Sequence, residues 1–263
     1  MSTFDHNPIV EMTGIEKHFG PVIALNGVSF DVRPGECHCL LGDNGAGKST
    51  FIKTMSGVHK PTAGTIRFEG KAMDFASPRD AMEAGIATVY QDLAMIPLMS
   101  VTRNFWMGRE PIKKIGPMKF IDFKTANEVT MEEMRKMGIN LRSPDQAVGT
   151  LSGGERQTVA IARAVHFGAK VLILDEPTSA LGVRQTANVL ATIDKVRKTG
   201  IGIVFITHNV RHALAVGDRF TVLNRGKTLG TAQRGQITPE ELQDMMAGGQ
   251  EMVALEGSLG GTV

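Results

Sequence analysis

The chain has 263 residues, enough for one large domain or for one domain with a lobe inserted in it. Hydrophobic residues make up 42% and charged residues 21%, and the net charge of +2 comes without any run of five or six basic side chains. That balance suits a globular domain and gives no reason to expect a nucleic-acid partner. The longest apolar stretches, Val171–Leu174 and Ile203–Ile206, are of strand length. A membrane helix needs about 20 apolar residues, so any part in transport would borrow its pore from other subunits. The start, Met1-Ser-Thr-Phe-Asp-His6, lacks the charge and apolar core of a secretion signal, and the expected location is the cytoplasm.

Residues 9 to 75 are rich in strand signals. Ala24–Val32 and Gly64–Gly70 alternate as half-buried strands do. Glu36-Cys37-His38-Cys39-Leu40-Leu41 reads as a strand with both thiols on one face. A metal site would need two further ligands, and none stands nearby, so both cysteines are expected in the core. A helix should run from Lys48 to about Met55 and close near Gly57, and a strand from Ile86 to Tyr90 leads to Gln91.

From about 92 to 165 the pattern turns helical and rich in methionine, with an amphipathic helix over Thr125–Met137 that ends at Gly138. Val171–Leu174 and Ile201–Ile206 then read as parallel strands buried on both faces, with a helix from about Val183 to Lys198 between them. A helical stretch interrupting an α/β core predicts an inserted lobe. Thr221–Leu229 reads as a hairpin turning at Arg225-Gly226, and Thr238-Pro-Glu-Glu241 as a capping box. The tail, 248–263, is expected to be mobile.

Three motifs carry chemistry. Gly42-Asp43-Asn44-Gly45-Ala46-Gly47-Lys48-Ser49-Thr50 follows a strand and opens a helix, the setting a phosphate loop requires. Its glycines let backbone N–H groups close on phosphates, Lys48 meets the β and γ oxygens, and Ser49 can bind Mg²⁺. Asp175 and Glu176 end a buried strand, where ligands bind in parallel sheets. Asp175 is the candidate Mg²⁺ ligand through water, and Glu176 the general base or orienting group for a water attacking the γ-phosphate. The third motif, Ser152-Gly153-Gly154, is a second glycine-rich helix start able to bind an anion. One nucleotide does not need both starts, so the second suits a nucleotide held by another copy of the chain.

Taken with the phosphate loop and the acidic strand end, Leu151-Ser-Gly-Gly-Glu-Arg-Gln157 resembles the signature motif of ATP-binding cassette (ABC) proteins. The resemblance runs from about Ile9 to Ala247. It implies a P-loop α/β fold with a mixed core sheet, an antiparallel β subdomain and an inserted helical subdomain. The single cassette would divide into core and β subdomains over about 5–91 and 166–247, and a helical subdomain over about 92–165. It further implies that Gln91 senses the γ-phosphate and touches Mg²⁺, that His208 is the switch histidine, and that Phe19 stacks on adenine. Relatives usually carry Asp where Gly182 stands, which puts one cross-dimer contact in doubt.

The implied activity is ATP hydrolysis, with ATP and Mg²⁺ as cofactors. Two copies would close face to face, each placing Ser152, Gly153 and Gly154 on the other's γ-phosphate. The implied partners are integral-membrane permease subunits and, through them, a solute-binding protein, with the cassettes on the cytoplasmic face of the inner membrane. Some of Leu93–Trp106, including Phe105 and Trp106, are candidates for docking the permease, although most methionines of the lobe are expected in its core. Glu176–Arg184 and Thr207–Arg211 are most similar to bacterial monosaccharide importers of the ribose and fructose type. The alternative is a soluble ABC ATPase of DNA repair or translation. Such proteins carry a coiled-coil insert or paired cassettes with a basic linker.

Overall fold

The computed structural model describes residues 7–248, so the N-terminal six residues and the tail, apart from Gly248, lie outside the described residues. Two long strands, β1 (Val10–Phe19) and β2 (Val22–Val32), pair antiparallel across the Gly20-Pro21 turn. Then β3 (Cys37–Leu41) leads through the phosphate loop into α1 (Lys48–Met55). Strands β4 (Ala63–Phe68) and β5 (Lys71–Met73) return to β1, making an antiparallel sheet in the order β2-β1-β4-β5. Helix α2 (Pro78–Ala84), opened by a Ser77–Asp80 capping box, precedes β6 (Ile86–Val89).

After the lobe, the chain continues with β9 (Val171–Asp175), α6 (Val183–Arg197), β10 (Gly202–Thr207), α7 (Val210–Val216), the hairpin β11 (Arg219–Asn224) and β12 (Lys227–Gln233), and α8 (Pro239–Met246). The second sheet has the order β12-β11-β3-β10-β9-β6, and all its pairings are parallel except β11 with β12.

The continuous apolar runs have a simple cause. Alternate residues of one strand feed two different cores. From β9, Val171 and Ile173 pack with Phe51 of α1 and with the antiparallel sheet, whereas Leu172 and Leu174 pack with Val189 and Ile193 of α6. Likewise Leu40 faces the first core, while Cys37, Cys39 and Leu41 face the second. Both cysteines are buried free thiols, as expected. His38 between them is a structural residue. Its ring stacks on Phe30 at 3.9 Å, with Nδ1 2.5 Å from the Asp31 carbonyl and Nε2 2.7 Å from Thr221 Oγ1.

The lobe between β6 and β9 holds α3 (Val101–Trp106), β7 (Ile112–Ile115), β8 (Met118–Ile121), α4 (Phe123–Lys136), a 3₁₀ turn at Val148–Thr150 and α5 (Gly153–His166). Two expectations need correction here. The stretch read as wholly helical contains the β7–β8 hairpin: Ile112 and Ile115, three residues apart, have the spacing of a helix face, but the Gly116-Pro117 turn decides for a hairpin that sends them to opposite sides of the ribbon. Phe105 and Trp106, taken as docking candidates, are core residues: Phe105 is fully buried, and Trp106 Nε1 donates to the Ala126 carbonyl at 3.1 Å and to Thr130 Oγ1 at 3.0 Å. The lobe's methionines are mixed, with Met134 at its centre and Met118 on the surface. Phe105→Ala should therefore lower stability by about 3–5 kcal/mol. Urea denaturation checks this, and an unchanged midpoint would return the ring to the surface.

Candidate functional site

The phosphate loop is shaped by three close approaches. Gly42 has φ 153°, and a Cβ there would lie 2.3 Å from the Leu223 carbonyl oxygen. Gly47 caps α1 in the left-handed region at φ 105°, and its Cβ would lie 2.9 Å from the Ala24 carbonyl oxygen. Only glycine fits either place without displacing backbone. The Gly226 N–H donates to the Ala46 carbonyl at 2.9 Å, clipping the loop to the turn of the last hairpin.

At the start of α1 no side chain caps the helix, and its first turn holds no acidic residue. Its N–H groups and the positive end of its dipole are thus presented to an anion. Lys48 Nζ curls onto the loop, donating to the carbonyls of Gly42 at 2.5 Å and Asp43 at 3.0 Å. Burial pulls the Lys48 pKa down, against the opposing pull of Glu176, Asp43 and Asp175. A phosphate placed here would add negative charge at the buried ammonium and offset the cost of its burial.

A cavity of about 500 Å³ spreads over the loop, and Asp43, Asn44, Gly45, Gly47, Lys48, Ser49, Thr50, Gln91, Asp175 and Glu176 all line it. Gly42 and Ala46 stand behind this wall and shape it. Val22, Ile23, Ala24 and Arg225, which the sequence reading did not single out, also form part of the wall. Arg225 adopts φ 46° at the β11–β12 turn, and that turn was the only signal that could have marked it. Phe19 lies outside the lining. It is 43% exposed, its ring edge-on to His59 with centroids 5.2 Å apart and Lys17 Nζ 5.1 Å above it.

The carboxylates stand where β9 stops. Burial raises the Asp175 pKa, the neighbouring Glu176 charge raises it further, and Lys48 pulls against both. Glu176 has φ 47°, a conformation that costs a non-glycine residue about 1 kcal/mol or more. The bend is held from both sides: the Glu176 N–H donates to the Ile206 carbonyl at 2.9 Å, and its own carbonyl accepts from Ser179 N at 3.2 Å. The side chain is fixed as well. Thr207 Oγ1 donates to Oε2 at 3.3 Å, and His208 Nδ1 lies 2.9 Å from Oε1. His208 is largely exposed, and it lines a second, open cavity of about 550 Å³ together with Asp43, Asn209 and Arg211.

Ser152, Gly153 and Gly154 line neither cavity. Ser152 caps α5, its Oγ accepting from Glu155 N at 3.3 Å while its own N–H donates to Glu155 Oε2 at 2.7 Å. The two glycines have a packing role that the motif alone did not reveal. A Cβ at Gly153 would meet Leu181 Cδ2 at 2.7 Å, and one at Gly154 would meet Gln185 Cβ at 3.1 Å. The start of α5 is thereby seated on the start of α6. Gly182 caps α6 without a side-chain hydrogen bond, and a Cβ there would meet open space.

A phosphate cradle after parallel strand β3, with a carboxylate pair at the end of β9, one strand removed in the same sheet, defines a P-loop nucleotide-binding protein. The ABC transporter family profile matches residues 25–179. The xylose/arabinose import ATP-binding protein of Sulfolobus acidocaldarius is 44% identical, over 90% of this chain and 93% of its own length. The fructose import ATP-binding protein of Rhizobium meliloti is 43% identical, over 93% and 95%. The ribose import ATP-binding protein of Geobacillus kaustophilus is 38% identical over 92% of this chain, which spans 48% of that longer protein. An ABC transporter ATP-binding cassette crystallised in its ADP conformation superposes with TM-score 0.79 at 24% identity, covering 96% of this chain and all of the other, and so shares the fold. The chain belongs to the ABC transporter family, as one of its ATP-binding ATPase subunits.

The raised pKa of Asp175 has a consequence for stability. The unfolded chain ionises this carboxyl at its ordinary value, while the folded chain resists ionisation. Stability is therefore lost as pH rises from the ordinary carboxylate range through the folded pKa. Asp175→Asn should raise the melting temperature of the nucleotide-free protein near neutral pH, with the gain shrinking towards about pH 4. A melting temperature that falls at neutral pH would show that the attraction to Lys48 outweighs burial.

Proposed function

We propose that the chain is the ATP-hydrolysing subunit of an importer, working as a homodimer on separate membrane permeases and powering uptake of a monosaccharide delivered by a solute-binding protein. It would sit peripherally on the cytoplasmic face of the inner membrane. In keeping with a borrowed pore, no helix among the described residues is long and apolar enough to cross a membrane. The sugar class rests on the relatives named for xylose/arabinose and fructose import, which match over 90% and 93% of this chain. In this reading residues 92–165 form the helical subdomain, and 5–91 with 166–247 the remainder.

The observation that carries the hydrolytic reading is the fixed Glu176 carboxylate. Oε1 faces His208 and Oε2 faces Thr207, in the wall opposite the Lys48 loop. Lys48 and the first N–H groups of α1 would hold the β and γ phosphates, and Glu176 would orient and deprotonate the attacking water. His208, joined to Glu176 through Nδ1, would fix that carboxylate and turn its other ring nitrogen to the γ-phosphate. Gln91, on the cavity wall, would sense the γ-phosphate, and Phe19 would move over the adenine.

The residues also fit Mg²⁺. Magnesium is commonly held by one or two carboxylates, waters and substrate phosphates, and Ser49, Gln91 and Asp175 meet around the cavity. The ion would neutralise charge on the transferred phosphoryl group. Since Ser152–Gly154 stand apart from their own chain's loop, the reading gives them to the partner copy's nucleotide.

Two variants test this. Glu176→Gln should lower steady-state ATPase activity by about 10²–10⁴-fold while an ATP-bound dimer accumulates on size-exclusion chromatography. A monomer with full turnover would defeat the assignment. Ser152→Arg should retain nucleotide binding by the monomer and lose both dimer closure and hydrolysis, with Ser152→Ala as the control for the cap, worth about 1 kcal/mol. Hydrolysis retained by the arginine variant would end the shared-site reading. Co-purification with ribosomes or DNA in place of a membrane protein would favour the soluble ATPase.

A further inference from the structure

The β7–β8 hairpin is exposed along its whole length. Ile112, Ile115, Met118, Phe120 and Ile121, followed by Phe123, all rank among the exposed large apolar side chains. Lys113, Lys114, Lys119 and Lys124 are interleaved with them, and none of the four makes an ion pair with a described residue. Two acidic groups flank the hairpin in sequence, and Lys113 acts on one of them, Asp122, through its charge. Asp122 caps α4 and bonds Thr125, which holds its carboxyl below the usual range, and Glu110 accepts from Gly108 N at 3.2 Å.

The register shows how the two kinds of side chain are distributed. Ile112 faces Ile121, and Lys114 faces Lys119, on one side of the ribbon. On the other side Lys113 faces Phe120 and Ile115 faces Met118. Each side therefore mixes apolar and cationic groups. A ribbon with apolar and cationic groups on both sides fits a wedge in a lipid headgroup layer, where apolar tips enter and lysines reach up to phosphates. The base of the hairpin is braced on the lobe, with the Arg103 guanidinium 5.8 Å from the Phe123 ring, adding a further cation beside the patch.

We propose that this hairpin is a membrane-surface anchor that inserts its apolar side chains among anionic lipid headgroups and pairs Lys113, Lys114 and Lys119 with their phosphates. The proposal rests on the transporter-subunit reading, since a cassette held at a bilayer is one that has lipid within reach.

The test is co-sedimentation of the full chain with vesicles of phosphatidylglycerol and phosphatidylethanolamine, against vesicles of phosphatidylcholine alone. Wild type should partition onto the anionic vesicles and be released by high salt. The triple variant Lys113→Ala/Lys114→Ala/Lys119→Ala should lose about a hundredfold in partition coefficient, and Ile115→Ser/Phe120→Ser should lose binding at low salt as well. Both should keep the wild-type melting temperature and basal ATPase rate, because the hairpin lies outside both the core and the site. Equal binding to neutral vesicles, no binding to anionic ones, or equal partition of wild type and triple variant would each overturn the anchor. So would a triple variant that binds vesicles normally but no longer binds a detergent-solubilised permease, which would assign the hairpin to a protein surface. Vesicle binding without permease-stimulated ATPase would leave the anchor standing and remove the transporter reading. Stimulated ATPase without vesicle binding would do the reverse.

Discussion

Three parallel strands that end side by side govern this molecule. The register sets Thr207 of β10 beside Leu41 of β3, and Ile206 beside Asp175 of β9. The loop leaving each strand therefore opens at the same edge of the sheet. One delivers Lys48, the next His208 and the third Glu176. No segment holds more than one of these groups, and the sheet alone fixes their separation. The strands can be so rigid because both of their faces are buried, one under α1 and the antiparallel sheet, the other under α6 and α7.

Backbone strain at the site is held by the same sheet. Glu176 takes a left-handed conformation that an ordinary residue avoids, and the hydrogen bond to Ile206 on the neighbouring strand keeps it there. The result is a carboxylate aimed across the cavity while the chain turns away into the loop before α6. Electrostatics carry the same imprint. Lys48, Asp175 and Glu176 share one poorly solvated pocket, so the ammonium is depressed and the Asp175 carboxyl raised before any ligand arrives. A site with charges in this condition favours a ligand that brings both phosphate and a cation.

The glycines of the two helix starts look alike in sequence and behave differently in space. Gly42 and Gly47 adopt backbone angles and approaches that other residues cannot. Gly153 and Gly154 have ordinary angles and exist to let α5 sit on Leu181 and Gln185 of the segment that leads into and opens α6. That contact joins the helical lobe to the strand end carrying Glu176.

The sequence by itself determined the pieces whose information is local. The strand–loop–helix setting of Gly42–Thr50, the Lys48–Met55 helix, the Arg225-Gly226 turn and the Thr238 capping box depend on neighbours a few residues away, and the structure has them as read. The apolar runs announced parallel strands because burial on both faces leaves no alternation to find. What depends on distant partners had to wait for tertiary structure. Phe105 and Trp106 are core because α4 and α5 cover them, Ile112–Ile121 is a hairpin because a turn outweighed a helical spacing, and Val22, Ile23 and Arg225 reach the cavity because two hairpins fold over the loop. Local chemistry can be written into a few adjacent residues. Which surfaces meet is a property of the whole packed chain.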